Sequence, residues 1–171
     1  MVNDIQVLAL DIDGVLTDGT ATVTPCETEE KRFSFHDLDA VTHAKAYGLL
    51  VTLVTGEETP AVDAISKRFG VSHVVKGAKD KFTALAALSD KLGIPLSAFC
   101  YIGDSDRDAP ALAKVGLGLA PANATPAAKA AAHRLLSRAG GNGAVAEAVG
   151  VLDLLQEGHG QAKVIEDYLF R

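Results

Sequence analysis

The amino-acid sequence predicts an α/β fold, a doubly wound parallel sheet. Three observations lead there: short aliphatic runs recur along the chain, amphipathic helical segments separate them, and Gly or Pro marks most of the boundaries. With 171 residues, 48% of them hydrophobic and 22% charged, the chain is expected to form a single domain over residues 1–171 with one sizeable core. A formal net charge of -6 and the lack of a dense Lys/Arg cluster argue against a nucleic-acid partner. No apolar stretch reaches the length of a membrane span, and Asn3, Asp4 and Gln6 stand where a secretory leader would need a basic and then an apolar region. A cytoplasmic protein with no membrane partner is therefore expected. Cys26 and Cys100 have neither a disulfide framework nor zinc-ligand spacing around them and read as plain thiols.

Taken in order, residues 5–10 form the first strand and run straight into Asp11-Ile12-Asp13-Gly14-Val15-Leu16-Thr17-Asp18-Gly19. Residues 20–35 read as a β-hairpin inserted after that strand, with a polar turn over 25–30 and Phe33 and Phe35 alternating on its second arm. Such a hairpin is either an oligomer contact or a flap on its own domain. Asp37 can cap a helix through Ala46, Gly48 stops it, and 49–54 is the second strand. Thr59 and Pro60 open a helix that carries Val62, Ile65 and Phe69 on one face and ends at Gly70. A short strand over 72–75 precedes a helix over 80–92, where Phe82, Leu85, Leu88 and Leu92 recur at helical spacing. A strand over 98–102, a helix over 106–115 and a strand over 117–120 follow, then Ala-rich helices over 126–132 and 144–155 around a weak strand at 133–136. The sum is a Rossmann-like sheet with right-handed crossovers. Beyond it, a C-terminal tail over 156–171 carries Val164, Ile165, Leu169 and Phe170 in an amphipathic turn expected to dock on its own domain or on a neighbouring subunit.

The ends of these strands carry the chemistry. If the backbone stays extended past the first strand, its period of two points Asp11 and Asp13 to one side. Two carboxylates sharing one small space call for a cation, or for a proton on one of them; the alternative is a surface turn with two solvated aspartates. After the second strand, Thr55-Gly56 offers a hydroxyl and a bare N–H to a phosphate oxygen, though Thr-Gly is also an ordinary turn. Lys76, Lys79 and Lys81 stand at the head of a helix and could neutralise an anion, though most lysines in such a place are solvated. Asp104, Asp106 and Asp108 open another helix, where carboxylates are favourable in any case. Together these groups suit a hard cation such as Mg2+ beside a phosphoryl group.

Asp11-Ile12-Asp13-Gly14, Thr55-Gly56, Lys81 and Gly103-Asp104 through Asp108 resemble, in this order, the four signature elements of the haloacid dehalogenase (HAD) superfamily of phosphotransferases. The stretch from Asp11 to Gly19, the hairpin after it, and Arg138-Ala139-Gly140-Gly141-Asn142-Gly143-Ala144-Val145 are similar to its capless branch, which includes the 3-deoxy-D-manno-octulosonate (KDO) 8-phosphate phosphatases. The resemblance runs to about Leu155. It implies a HAD-like fold with no cap domain and a Mg2+-dependent phosphomonoester hydrolase. Asp11 would be the nucleophile, forming an aspartyl-phosphate, and Asp13 the general acid and base. Asp11, the Asp13 carbonyl and Asp104 would hold Mg2+, with Asp108 orienting the Asp104 loop or coordinating through water. Thr55, Gly56 and Lys81 would bind the phosphate. The branch also implies a homotetramer built on the hairpins, with a neighbour's C-terminal segment closing the site.

The sequence departs from that branch around the substrate. Where the octulosonate enzymes carry Asn-x-Arg-Asp-Gly and an arginine after Thr-Gly, this chain has Ser34-Phe35-His36-Asp37-Leu38 and Glu57. Asp37 alone matches that segment. A glutamate cannot supply arginine's bidentate grip on a carboxylate; it resembles instead the phosphatases of nine-carbon, sialic-type 2-keto-3-deoxy sugar acids. Asp37 and Glu57 are thus the candidate substrate contacts, Glu57 being otherwise an exposed helix-cap carboxylate. Ser105 replaces a second aspartate, a change expected to be tolerated. His36, His43 and Arg68 lie on neighbouring helices with no matched role. The expected substrate is a small anionic sugar phosphate, either an eight-carbon KDO 8-phosphate or a nine-carbon 9-phosphate, with another small sugar phosphate as the alternative. Two other readings compete with it: a non-catalytic module of the same fold, and a phosphate-accepting receiver domain. A receiver needs an aspartate after a middle strand, where this chain has Lys76-Gly77.

Overall fold

In the computed structural model, which describes residues 5–26 and 28–156, the first strand decides how the rest is layered. Side chains of a strand alternate between faces. In β1 (Val7–Leu10), Leu8 and Leu10 join one apolar cluster while Val7 and Ala9 join another. Both faces therefore need covering. A tight turn over Ile12–Leu16 leaves β1, and the short hairpin of β2 (Thr22–Val23) and β3 (Glu29–Glu30) follows. From there helices and strands alternate: α1 (Phe35–Ala46), β4 (Leu50–Val54), α2 (Pro60–Arg68), β5 (His73–Val75) and α3 (Lys81–Leu92). The chain continues through β6 (Phe99–Ile102), α4 (Ala109–Leu112), β7 (Leu117–Ala120), α5 (Pro126–Ala131), β8 (Arg134–Leu135) and α6 (Ala144–Gln156).

The six-stranded sheet has the order β5-β4-β1-β6-β7-β8, and every pair in it is parallel. Helices α1, α2 and α6 cover one face through Val41, Ile65 and Val145; α3, α4 and α5 cover the other through Leu85, Leu112 and Ala128. This is the doubly wound fold that the alternating pattern predicts. Strand order reverses at β1, whose Leu10 is level with Leu53 of β4 and Ile102 of β6. Successive connections run to opposite sides there, so a crevice opens beyond the carboxyl ends of β1 and β6. No cap domain interrupts the described residues between β4 and α2, and no helix among them is long and apolar enough to cross a membrane.

Three elements differ from expectation. The second arm of the hairpin pairs at Glu29–Glu30 rather than over 31–35, because Thr24 and Thr28 clasp the turn: the Thr24 N–H donates to the Thr28 carbonyl at 2.9 Å. Among the described residues, only an isolated bridge between Thr17 and Phe33 continues the pairing. The helix expected over 106–115 shortens to Ala109–Leu112, since the loop before it curls around the Asp108 carboxylate, which takes up the N–H groups of Asp104 and Ser105. The C-terminal tail from 157 onward lies outside the described residues.

The third difference concerns Asp37. Helix α1 begins earlier than expected, at Phe35, with Ser34 as its cap. Asp37 is fully buried and caps a different helix: its carboxylate accepts from Gly143 N at 3.1 Å and Ala146 N at 2.9 Å, at the start of α6. Burial pushes its pKa up and these N–H groups pull against that. Both oxygens are thereby committed inside the protein, and Asp37 does not face the crevice as a substrate contact. Asp37→Ala is expected to lower stability by about 1–3 kcal/mol, through loss of the cap and exposure of two unpaired buried donors. Denaturant unfolding measures this, and KM for the substrate should stay unchanged.

Candidate active site

Asp11 follows β1 directly and is tied to the sheet, its N–H donating to the Ile102 carbonyl of β6 at 3.0 Å. One carboxylate oxygen accepts from Ile12 N at 2.7 Å and the other from Lys81 Nζ at 2.5 Å. Lys81 is buried at the first position of α3, behind the Asp80 cap, and also donates to the Val54 carbonyl at 3.1 Å. Its Nζ lies 3.4 Å from Asp108 Oδ1. Asp11, Asp104 and Asp108 each bring a carboxylate oxygen into one group whose atoms all lie within 4.8 Å of one another.

Gly14 makes this convergence possible. Its φ of +79° lets the chain turn away from Asp13, and a Cβ there would lie 2.0 Å from Asp104 Oδ2. The loop from Arg138 braces the turn from the other side: Gly141 N donates to the Val15 carbonyl at 3.0 Å, and a Cβ on Gly140 would meet the Gly14 oxygen at 1.9 Å. Asn123 ties the two together, donating to the Gly14 carbonyl at 3.0 Å and accepting from Gly140 N at 2.7 Å.

The three carboxylates differ in their surroundings. Burial, partly offset by Lys81, pushes Asp11 up from an ordinary 3.8 to about 7. Burial and the neighbouring Asp108 charge raise Asp104 to about 6. Burial also acts to raise Asp108, but Lys81 and the hydroxyls of Ser105 and Tyr101 outweigh it, and this carboxyl lies below the usual range. Asp108 Oδ1 accepts from Tyr101 OH at 2.6 Å, while Oδ2 accepts from Ser105 Oγ at 2.6 Å and from the N–H groups of Asp104 and Ser105. With both oxygens occupied, Asp108 orients the Asp104 loop. Asp11 and Asp104 are the carboxylates raised, by burial first and by the Asp108 charge second, and a hard cation between them would favour their ionised forms. An all-oxygen donor set against a glycine that a side chain would fill fits Mg2+.

Thr55 is buried at the end of β4, its hydroxyl accepting from Glu57 N at 3.1 Å, which leaves the hydroxyl hydrogen for another acceptor. Glu57 is exposed. Asp13 is half-exposed and its Oδ1 accepts from Lys31 Nζ at 2.7 Å. His43 lies against Tyr47 and 3.7 Å from Asp153, and Arg68 lies over the Phe35 ring, so neither joins the carboxylate group. Lys31, Tyr101 and Asn123 escaped the sequence reading. The alternation of Lys31 with Phe33, which packs against Phe69, could have placed Lys31 on a covered side; Tyr101 read as plain strand, and Asn123 gave no signal.

Residues 57–149, more than half of the chain, match the haloacid dehalogenase-like hydrolase family. The chain is a haloacid dehalogenase-like hydrolase. Within that family it is 34% identical over 160 residues to the KDO 8-phosphate phosphatase KdsC of Escherichia coli K12, covering 94% of this chain and 85% of the relative. This hydrolase is also 30% identical over 154 residues to KdsC of Yersinia pestis, covering 90% and 82%. It superposes on the Moraxella catarrhalis KDO 8-phosphate phosphatase, solved with magnesium, phosphate and KDO, with a TM-score of 0.85 at 33% identity, covering 92% and 95% of the two chains. The cobalt-bound Haemophilus influenzae enzyme gives 0.87 at 27% identity, covering 98% of each.

The raised carboxyls of this hydrolase set how its stability depends on pH. Groups whose folded pKa lies above the unfolded value bind protons on folding, so their favourable contribution is complete below about pH 4 and is lost as pH rises through about 6 and 7. The melting temperature of the metal-free protein is expected to fall between pH 5 and 7.5, and Asp104→Asn should flatten that slope. Thermal scans in chelator measure both.

Proposed function

We propose that this hydrolase is a Mg2+-dependent phosphatase that acts through an aspartyl-phosphate on a 2-keto-3-deoxy sugar acid phosphate. The observation that carries this reading is the Asp11 carboxylate, set at the carboxyl end of β1 against Lys81 and within 4.8 Å of Asp104. Names of the relatives point the same way, down to the KDO bound in the Moraxella structure.

Asp11 attacks phosphorus, and the bond to the sugar oxygen breaks with its electron pair moving onto that oxygen. Asp13 gives the departing oxygen a proton. In the second half, Asp13 takes a proton from a water whose oxygen bonds to phosphorus as the bond to Asp11 breaks. Lys81 stabilises charge on the phosphoryl oxygens, with the Thr55 hydroxyl and the Gly56 N–H as further donors. Asp11, Asp104 and the Asp13 carbonyl would hold Mg2+, and Asp108 fixes the loop that carries Asp104. When bound, Mg2+ supplies positive charge that screens the phosphate from the attacking carboxylate.

Glu57 stands in an exposed place beside Thr55 and is assigned to sugar hydroxyls. A carboxylate there supports the nine-carbon acids over KDO 8-phosphate; 34% identity to KdsC supports the eight-carbon substrate. Both belong in the first assay. Phosphate release with Mg2+ from a panel holding both acids is expected to show strong turnover of one, falling by at least about a thousandfold in Asp11→Asn. Lack of any Asp11-dependent release would favour the non-catalytic module.

The reading extends to one phosphatase domain over 1–171, a cytoplasmic location consistent with the free thiols of Cys26 and Cys100, and a homotetramer. Exposure of the hairpin supports the tetramer, with Val23 70% and the adjoining Phe35 62% exposed. Light scattering should report four copies for the wild type, and Val23→Glu should shift the mass downward.

A further inference from the structure

An ammonium drawn out of water is unfavourable unless carboxylates meet it. Lys31, just past the hairpin, has a side chain only 6% exposed. Its partners are Asp13 Oδ1 at 2.7 Å and Glu29 Oε2 at 3.8 Å. A solvated surface pair would carry little weight. Here the amine is covered, and the segment that delivers it is pinned on its far side: Phe33 bridges to Thr17 of the turn after Asp13 and stacks edge-on against Phe69 at 5.2 Å. In an extended chain Lys31 and Phe33 share a side, so the anchoring of one aims the other.

We propose that Lys31 is a positioning residue for the proton transfer, holding Asp13 Oδ1 so that Oδ2 carries the proton to and from the reacting oxygens. The inference deepens the reaction described above and rests on it. Lys31 touches no reacting atom in this scheme. It fixes the rotation of a half-exposed carboxylate by holding one of its two oxygens from the hairpin side. The hairpin thereby becomes part of the active site as well as an assembly surface.

Positioning of an acid matters only when the leaving oxygen needs its proton. A sugar alkoxide does, and p-nitrophenolate does not. The test compares Lys31→Met, which keeps the buried stem, with Lys31→Arg, which restores a cation, and uses single-turnover release of the alcohol from both esters in Mg2+. Lys31→Met is expected to slow alcohol release from the sugar acid phosphate by about tenfold or more while p-nitrophenolate release changes by less than about threefold and KM by less than about twofold. Lys31→Arg should recover most of the loss. Retained p-nitrophenolate release shows within the same sample that the variant is folded. Equal losses on both esters, a raised KM with unchanged alcohol release, or no loss at all would each overturn the positioning role. Absence of Asp11-dependent release from the wild type on either ester would remove the underlying reading, and this inference with it.

Discussion

Three carboxylates brought within 4.8 Å of one another repel, and the buried Lys81 ammonium is what lets the fold hold them there. Lys81 sits where β4 and α3 meet: it donates to the Val54 carbonyl, neutralises Asp11 and stands 3.4 Å from Asp108. Because every group around it is buried or half-buried, these interactions are screened far less than surface pairs would be. The compensation is incomplete, since Asp11 and Asp104 keep raised pKa values. A site left short of positive charge in this way is poised for a divalent cation and a phosphoryl group, both of which alter its charge balance.

Backbone geometry supports the same point. Gly14 and Gly140 let two loops approach the carboxylates more closely than any side chain would allow. Asn123 and the Gly141 N–H then lock the turn and the brace together. On the far side, Asp108 spends its charge on Tyr101, Ser105 and two backbone N–H groups, so the loop carrying Asp104 has little freedom. Preorganisation of this kind suits an enzyme that stabilises charge developing on a transferred group. A module kept only for assembly has no use for it.

Of the two competing readings, the receiver domain is excluded by family membership, since the chain is a haloacid dehalogenase-like hydrolase over residues 57–149. Glu57 is exposed, whereas Asp37 has been drawn inside as the cap of α6. Matching a motif residue by residue therefore misled at Asp37: an aspartate retained in a changed segment can be kept for a backbone reason alone.

The sequence by itself determined the layered α/β fold, because short aliphatic runs and helical periodicity are local patterns with local causes. It also marked Asp11, Thr55 and Asp104 as groups at or just past strand ends, and Lys81 as a lysine at the head of a helix. Tertiary structure alone decided the rest. How the Asp108 carboxylate is held depended on Tyr101, seven residues away along the chain, and on the curl of the loop between them. Whether Asp37 capped its own helix or another depended on a contact 106 residues distant, with Gly143. Lys31 shows the same limit: its spacing suggested a strand, but its burial against Asp13 required the hairpin to fold back over the turn. Long-range placement of short polar side chains is governed by packing between elements, and no local pattern in the chain encodes it.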